Sequence, residues 1–481
     1  MNNLKERTIN GIIWSFFDSF SSRGIQLVVG IILARILSPN DFGIIGLTAV
    51  FISLSKSFTD SGLTSALIRK QDCTKKEYST VFIFNLVIAT FFYLLLLLGA
   101  NYIGLYFEEP KLKNILIVVG IGIIIQAFGS IQQTILVKEM KFKKLTKISF
   151  LATLISGIIA IIMALSGSGI WSLVFLFLCN SALQTLLLWI SSKWKPSFIF
   201  DKIAFYELFG FGKNLLFSSL IASIYNSSFR FIIGKTFSIE QLGFFDRANR
   251  FQILISENFG SIINKVSYPS LSKIEDRIRL KNALKKLIKN TMFITFLAMF
   301  GLAAVAKPFI LVLIGAKWLA SVKMLQLLVF AGVLYPIHVI NINFLKVWGR
   351  SDLILKLEFI KKAIAIPMLI VAITISIEAM IISMIILSIL ELFINGYWTS
   401  QFINYSVREQ IIDILPSFFV ASVMGLLVYF IGFYVGNNNL LTLLVQVAVG
   451  VLFVVAYGEF FKFEAYINLK EIVLRKLKIN E

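Results

Sequence analysis

The chain has 481 residues, of which 58% are hydrophobic and 15% are charged, and its mean hydropathy is +0.85. Because about half of the residues of an ordinary soluble domain are apolar, this composition excludes a soluble protein and indicates a polytopic membrane protein. The formal net charge of +20 suits either nucleic acid or an anionic membrane face as a partner. With two cysteines and one histidine, the sequence predicts no disulfide framework, no metal site and no cofactor.

Fourteen segments are apolar enough to cross a bilayer, which takes about 20 residues of helix. The first segment lacks a convincing signal-peptide cleavage site, so we expect it to be retained as a spanning helix. A count of twelve spans is the alternative. In chain order the fourteen segments cover residues 9–34, 43–68, 79–106, 114–136, 148–166, 169–191, 214–234, 248–271, 291–313, 324–345, 355–376, 378–404, 414–435 and 440–461.

Lysine and arginine residues concentrate in alternate loops between these segments. Basic runs such as "KEMKFKKLTK" (138–147) and "KIEDRIRLKNALKKLIKN" (273–290) each follow an even-numbered span. Basic loops favour the cytoplasmic side, so the sequence predicts a multi-pass protein of the bacterial inner membrane with both termini in the cytoplasm. No loop approaches the size of a folded aqueous domain, which favours membrane lipids and argues against nucleic acid as the partner of the basic residues.

Two short polar corners recur at a constant offset of 200 positions. They are "ARILSPNDFG" (34–43) and "GKTFSIEQLG" (234–243), and the same offset matches Phe51 with Phe251 and Ser19 with Ser219. One match alone carries no weight, whereas a run of matches in one register indicates an internal repeat.

The repeat predicts two lobes of six helices each, in the same orientation. The expected fold is an all-α integral membrane protein, with two pseudo-symmetric six-helix lobes around a central cavity and two extra C-terminal helices. We expect the N-lobe (spans 1–6) at 1–200, the C-lobe (spans 7–12) at 201–405, and spans 13 and 14 with a cytoplasmic tail at 406–481.

Polar side chains recur at the spacing of one helix face on the first two spans of each lobe. Because polar groups are costly against lipid, we expect these stripes to face inward. For the charged residues, two interpretations stay open: they line a cavity, or they pair with one another inside the protein. For the serines, packing between helices is a further interpretation. The stripes are Ser15, Asp18, Ser19, Ser22, Arg23 and Gln26 on span 1, Ser53, Lys56, Ser57, Asp60 and Thr64 on span 2, Ser219, Ser223, Asn226, Ser227 and Arg230 on span 7, and Glu257, Ser261, Asn264 and Lys265 on span 8.

The composition of the stripes suits an anionic cargo that carries many hydroxyls. Arginine donates two hydrogen bonds to phosphate oxygens and stays charged in a cavity of low dielectric constant. His338 could titrate or bind cargo, or it could be packed as a neutral side chain. No catalytic residue is predicted, since the sequence has no P-loop, no cluster of histidine and carboxylates, and no outer loop large enough for glycosyl transfer.

Three segments resemble a known family. They are "LARILSPNDFGIIGLTAVFISLSKSFTDSGLTSALIRKQ" (33–71), "GFFDRANRFQILISENFGSIINKVSYPSLSKIEDR" (243–277) and "LLVFAGVLYPIHVININFLKVWGRSDLILKLE" (327–358). They are similar to the polysaccharide exporter branch of the multidrug/oligosaccharidyl-lipid/polysaccharide (MOP) flippase superfamily, in particular to lipopolysaccharide, colanic acid and teichuronic acid exporters. The likeness runs from about residue 5 to residue 405.

The resemblance implies a transporter that alternates access and is not an enzyme. Its implied substrate is an undecaprenyl-pyrophosphate-linked oligosaccharide for O-antigen, capsule or exopolysaccharide, held by basic residues of the cavity. Arg23 and Arg230 are the best candidates for this role and Lys56 and Lys265 the next, with Asp18, Asp60, Glu257, Gln26 and Asn226 beside them in the cavity. Further motif positions are interpreted as structural or gating residues, namely Pro39, Gly43, Gly243, Pro269, Asn341, Gly349 and Arg350.

The repeated corner has two interpretations. In the functional one, Arg35 and Lys235 flank the outer mouth of the cavity, while Gly43 and Gly243 let the following helix start tightly. In the other, the corner is a helix start with Asn40 or Asp41 as its N-cap.

Other functions of the same chain stay open at this point. They are a cation-coupled small-molecule antiporter of the same superfamily, an integral membrane glycosyltransferase, and a non-transporting scaffold of a polysaccharide assembly complex. A polysaccharide polymerase and a chain-length regulator are candidate protein partners. Coupling to H⁺ or Na⁺ through Asp18, Asp60 or Glu257 is a further hypothesis.

Overall fold

The protein is described by a computed structural model that covers residues 22–59, 62–70, 72–271, 276–348, 350–436 and 438–479. Within these ranges, side chains are described except those of residues 211, 214, 215, 257–271, 351 and 472–479.

Most of the described chain is helical, and it contains no strand within these ranges. A short 3₁₀ turn covers Ala316–Trp318. The helices are α1 (22–36), α2 (Pro39–Thr59), α3 (Leu63–Arg69), α4 (Lys75–Tyr106), α5 (Pro110–Lys138), α6 (Phe142–Leu165), α7 (Trp171–Ser191), α8 (Lys202–Thr236), α9 (Ile239–Leu271), α10 (Arg277–Ala304), α11 (Ala306–Leu313), α12 (Ala320–Gly332), α13 (Tyr335–Val347), α14 (Ser351–Ile373), α15 (Ile377–Ile403), α16 (Val407–Tyr434), α17 (Asn439–Phe460) and α18 (Glu464–Ile479).

Each of the fourteen predicted spans overlaps at least one of these helices. Within the described residues, eleven helical stretches are long and apolar enough to cross a membrane. Large apolar side chains such as Leu98, Leu105 and Leu165 are about 70% exposed, as expected of helices that meet lipid tails. The chain is therefore a multi-pass membrane protein.

Three of the predicted spans each overlap two helices: the segment 43–68 covers α2 and α3, and two more lie in the second half of the chain. The segment 291–313 is interrupted at Val305, between α10 and α11, and the segment 324–345 is interrupted between Gly332 and Tyr335, where α12 gives way to α13. Pro336 lies in the first turn of α13, a position where proline is tolerated because its nitrogen needs no hydrogen-bond partner.

Local capping residues define many of the helix starts. The Asp201 carboxylate accepts hydrogen bonds from the backbone N–H groups of Ile203 (2.9 Å) and Ala204 (3.2 Å) at the start of α8. Ser406 and Glu409 form a capping box at the start of α16. These polar side chains satisfy N–H groups that the helix itself leaves unpaired.

The chain divides into two compact units between Asp246 and Arg247. In the first unit, α4 packs along α5, α6 and α5 pack on α7, and α2 packs along α8. Leu67, Phe82, Ile131 and Leu208 form a buried cluster that joins α3, α4, α5 and α8. These contacts fix α2, α3 and α8, the helices that carry the polar residues described below.

In the second unit, α10 packs along α16, and α15 packs on α12 and α14. Met424 and Val428 of α16 are buried beside Leu443 and Phe453 of α17. The division into lobes at residue 200 stays a prediction.

Candidate functional site

A polar cavity of about 560 Å³ lies inside the first unit, between α2, α3 and α8. It brings together three of the residues predicted to form the substrate site: Lys56 on one side, and Asn226 and Arg230 on the other. Among the described residues, its lining is Ser53, Lys56, Ser57, Gly62, Ser65, Ser219, Ala222, Ser223, Asn226, Ser227 and Arg230.

Helix periodicity places these residues on facing stripes. Ser53 and Ser57 are four residues apart on α2, as Ser219 and Ser223 are on α8, so each pair shares a helix face. The Ser53 hydroxyl lies 2.9 Å from the hydroxyl of Ser227, which joins the two stripes directly. The cavity therefore has one wall from the second span of the first repeat and one wall from the first span of the second repeat.

Arg230 forms an ion pair that the sequence reasoning missed. Its Nε donates a hydrogen bond of 2.8 Å to Oδ1 of Asp246, and the two side chains are 30% and 18% exposed. A Cβ atom on Gly46 would overlap Oδ2 of Asp246, so the carboxylate fits there because position 46 is glycine. The repeat could have indicated this contact, because Asp246 lies 200 positions after Gly46 and is therefore its repeat counterpart.

The two repeated corners contact each other at one end of α2 and α8. A Cβ atom on Gly43 would overlap the carbonyl oxygen of Ile239, and one on Gly243 would overlap that of Pro39. Ile239 is the repeat counterpart of Pro39, so the contact is reciprocal, as in an interface with two-fold symmetry. Gly43 and Gly243 thus permit close approach of two backbones.

The helix starts in these corners are capped by Ser38 and Ser238. Asp41 N–H donates to the hydroxyl oxygen of Ser38 (3.3 Å), and the backbone N–H of Ser38 donates to the Asp41 carboxylate (3.0 Å). Gln241 N–H donates to the hydroxyl oxygen of Ser238 (3.0 Å). The expectation that Asn40 or Asp41 is the N-cap is therefore wrong: Asp41 is the third residue of a capping box whose N-cap is Ser38.

The predicted outer-mouth residues lie close to these corners. Arg35 is exposed near the end of α1. Lys235 donates hydrogen bonds to the carbonyl oxygen of Tyr106 (2.6 Å) and to the carboxylate of Glu108 (3.2 Å), and its ammonium lies 4.7 Å from the centre of the Tyr106 ring. These contacts of Lys235 connect the end of α8 to the end of α4.

An ion cluster ties α3 and α8 together at the opposite end of the cavity. The Lys70 ammonium donates to both carboxylate oxygens of Glu207 (2.7 and 2.8 Å) and lies 2.6 Å from Glu77. Hydrogen bonds to Glu207 and Glu77 raise the pKa of Lys70 above its usual range. The backbone of Gly62, which precedes α3, also contacts the backbone of Gly212 on α8. The cavity thus lies between two cross-links: the glycine corners join α2 to the start of α9, and the Lys70 cluster joins α3 to α8.

The remaining predicted residues do not line this cavity or are not described. Arg23 and Gln26 lie on α1, where Arg23 is half-buried and Gln26 is exposed. Asp18, Asp60 and Gly349 lie outside the described residues, as do the side chains of Glu257, Lys265 and Pro269 on α9.

Two of the motif residues, Asn341 and Arg350, lie in the second unit and contact neighbouring side chains. Asn341 is fully buried and donates to Oε1 of Gln410 (3.1 Å). Arg350 forms a two-pronged ion pair with Asp352, at 3.0 and 2.8 Å. His338 is buried with Nε2 3.3 Å from the Ser388 hydroxyl, a packed position. Among the described residues, no three His, Cys, Asp or Glu side chains group as they would around a metal ion.

Comparisons with known proteins identify the fold and the family. The succinoglycan biosynthesis transport protein ExoT of Rhizobium meliloti is 29% identical over 336 residues, which cover 69% of this chain and 68% of that protein. The solved structure of the lipid II flippase MurJ in an inward closed conformation matches with a TM-score of 0.74 at 18% identity, over 97% of this chain and 99% of MurJ. An inward-facing multidrug resistance MATE transporter of the MOP superfamily matches with a TM-score of 0.59 at 15% identity, over 79% of this chain and 94% of that one.

These likenesses confirm the predicted fold class, an all-α integral membrane fold that is similar to the folds of MurJ and of the MATE transporter. The family model described as "Polysaccharide biosynthesis protein" matches residues 32–323, which is more than half of the chain and includes α2, α3, α8 and the cavity between them. The chain therefore belongs to the polysaccharide biosynthesis protein family.

Proposed function

We propose that this protein is a flippase that moves undecaprenyl-pyrophosphate-linked oligosaccharides across the bacterial inner membrane for surface polysaccharide biosynthesis. The observation that carries the proposal is the cavity between α2, α3 and α8, where Lys56 and Arg230 lie among serine and asparagine side chains. The names of the relatives support it, since ExoT is a transport protein of succinoglycan biosynthesis and MurJ is a flippase of lipid II. Such proteins are transporters, not enzymes, and we assign the same class to this chain.

The chemistry of the cavity matches the head group of such a lipid. Pyrophosphate oxygens accept charge-assisted hydrogen bonds from guanidinium and ammonium groups, which are about twice as strong as neutral ones. Ser53, Ser57 and Ser219 donate their hydroxyl protons to backbone carbonyls of their own helices, each at 2.9 Å. Their oxygens keep lone pairs that can accept hydrogen bonds from sugar hydroxyls. A cation-coupled drug antiporter is expected to have a more apolar and acidic cavity.

We propose that the two cross-links open in turn to give alternating access. The glycine corners join α2 to the start of α9 at one end of the cavity, and the Lys70 cluster joins α3 to α8 at the other. By the positive-inside rule the corners lie on the outer side and Lys70 on the cytoplasmic side. In this mechanism the Lys70 end opens to admit the head group and the glycine end opens to release it, while the lipid tail stays in the bilayer.

In this mechanism Asp246 keeps Arg230 paired while the cavity is empty, and the cargo displaces it. Asp246→Asn is then expected to tighten binding of undecaprenyl pyrophosphate by about tenfold, since one competing charge-assisted bond is removed. The measurement is the dissociation constant of that lipid for the purified protein. Glu240→Gln is the matched control, because Glu240 is exposed in the first turn of the same helix. Equal affinity of Asp246→Asn and wild type would mean that Arg230 does not contact phosphate.

The topology, the protein partners and the ion coupling of the transporter are proposed from the sequence. Both termini lie in the cytoplasm, and the polysaccharide polymerase and chain-length regulator are partners of the pathway. Coupling to H⁺ or Na⁺ would rest on Asp18, Asp60 and Glu257, whose side chains lie outside the described part of the chain. The direct test of the function is translocation of a labelled lipid in vesicles that contain this protein alone.

A further inference from the structure

A second polar cavity, of about 280 Å³, lies in the first unit between α2, α3, α5 and α7. Its lining combines side-chain amides with hydroxyls, including Gln126, Gln133, Gln184, Ser130, Thr134 and Thr185. Lys56 is the one charged residue among the described residues that line it, and it also lines the first cavity. We call this second cavity the glutamine chamber.

Three glutamines converge on the glutamine chamber from two helices. Gln126 and Gln133 are seven residues apart on α5 and so share one face, and Gln184 lies on α7. The Nε2 of Gln126 donates to the Ser181 hydroxyl (3.0 Å), and the Nε2 of Gln184 donates to Oδ1 of Asn180 (3.1 Å). These bonds orient two of the amides and use only one donor of each.

Gln133 differs from the other two. Its side chain is exposed, and it makes no hydrogen bond with the described part of the protein. A long side chain without a partner contributes little to folding. Its amide can both donate and accept hydrogen bonds toward a molecule in the glutamine chamber.

The hydroxyls of the glutamine chamber are oriented in a common way. Ser130, Thr134 and Thr185 donate their protons to the backbone carbonyls of Ala127 (2.8 Å), Ser130 (2.8 Å) and Ile125 (2.9 Å). The Ser130 oxygen also accepts a hydrogen bond from Nδ2 of Asn85 (3.1 Å), while the oxygens of Thr134 and Thr185 face any further partner as acceptors. A ligand that satisfies these acceptors must bring several donors of its own.

A neutral sugar has the required chemistry. Each sugar hydroxyl both donates and accepts, which suits a lining of amides and hydroxyl acceptors, whereas an anion would meet one ammonium and several acceptors, and a lipid tail would leave all of these groups unpaired. Because Lys56 lines both cavities, a sugar in the glutamine chamber lies next to a pyrophosphate held at Lys56 and Arg230. Pyrophosphate and first sugar are joined covalently in the proposed cargo.

We propose that the glutamine chamber binds a sugar residue of the lipid-linked oligosaccharide, while the Lys56 and Arg230 cavity holds its pyrophosphate. This inference rests on the proposed function and assigns it a sugar subsite.

The test compares lipids with and without a sugar. Purified full-length protein in lipid nanodiscs is titrated with undecaprenyl pyrophosphate, and with the same lipid carrying one glucose, galactose or N-acetylglucosamine. Wild type is expected to bind at least one sugar-bearing lipid more tightly than the sugar-free lipid. Gln126→Leu combined with Gln133→Leu is expected to remove that gain, a loss of about tenfold, and to leave the sugar-free lipid unaffected.

Two further variants show whether a loss of binding comes from the glutamine chamber or from misfolding. Gln133→Leu alone is expected to fold normally, because the Gln133 side chain makes no hydrogen bond with the described residues, and to cause part of the same selective loss. Gln401→Leu, at an exposed position of α15 in the second unit, is the matched control and should bind both lipids as wild type does.

The possible outcomes separate the two proposals. Equal affinity of wild type for all the lipids, or equal losses for both lipids in the glutamine variants, overturns the sugar subsite but not the flippase. Failure of wild type to bind any of these lipids, the sugar-free one included, contradicts the proposed function itself.

Discussion

Replacing Lys56 and Arg230 together by alanine is expected to abolish surface polysaccharide while the protein still inserts into the membrane. Both side chains line the cavity between α2, α3 and α8. Loss of one charge-assisted hydrogen bond costs about 2 kcal/mol, so two such losses lower affinity for the pyrophosphate by roughly a thousandfold. The measurement is the amount of surface polysaccharide made by a deletion strain that carries the variant at native expression.

The matched control removes two positive charges elsewhere. Lys111→Ala with Lys113→Ala changes the exposed first turn of α5, outside both cavities, and should support normal polymer. Arg23→Ala tests the residue that the sequence favoured but that does not line the cavity, and a smaller defect is expected. Normal polymer from the Lys56 and Arg230 double variant would contradict the site.

Gly43→Ala and Gly243→Ala are each expected to destabilise the protein strongly. A Cβ atom at either position would overlap a backbone carbonyl oxygen of the opposite corner, and backbone cannot rotate away as a side chain can. Overpacking of this kind costs about 1–3 kcal/mol or more. We expect a lower melting temperature of the purified protein and loss of surface polysaccharide.

Another glycine provides the control for this prediction. A Cβ atom on Gly99 of α4 would make only an ordinary contact, 3.7 Å from Cδ1 of Ile103. Gly99→Ala should therefore be neutral or slightly stabilising, because alanine favours helix. The double variant Gly43→Ala with Gly243→Ala should cost less than the sum of the two, since both changes push apart the same pair of corners. Wild-type stability of either single variant would contradict the close backbone contact.

The sequence predicted the polar stripes because helix periodicity is a local property. Spacing of three and four residues is enough to place Lys56 beside Ser53 and Arg230 beside Asn226, whichever helix lies opposite. That α2 and α8 face each other could not be predicted from this local spacing, and the repeat relates α2 to α9, not to α8. The offset of 200 positions did indicate that the corners are equivalent, and their reciprocal contact agrees with this.

The contacts that were missed depend on the partner helix. Asp246 pairs with Arg230 because Gly46, far away in the sequence, leaves room for its carboxylate. Gln126 and Gln133 lie in an apolar span, where isolated glutamines are typical of helix packing, so the glutamine chamber was not predicted. The N-cap of α2 was misassigned because the corner holds Ser38, Asn40 and Asp41 in succession, and each of these residue types can cap a helix.

Translocation of a labelled lipid in sealed vesicles that contain only this protein tests the flippase function most directly. The probe is a fluorescent undecaprenyl-pyrophosphate-linked oligosaccharide from the native host, and its arrival at the opposite leaflet is followed with a membrane-impermeant reagent that attacks the exposed head group. Wild type should move the lipid across the membrane, and the Lys56→Ala, Arg230→Ala double variant should not, with ionophores reporting any dependence on H⁺ or Na⁺. No translocation by folded wild-type protein, with or without ion gradients, would contradict a flippase and favour a scaffold of the assembly complex.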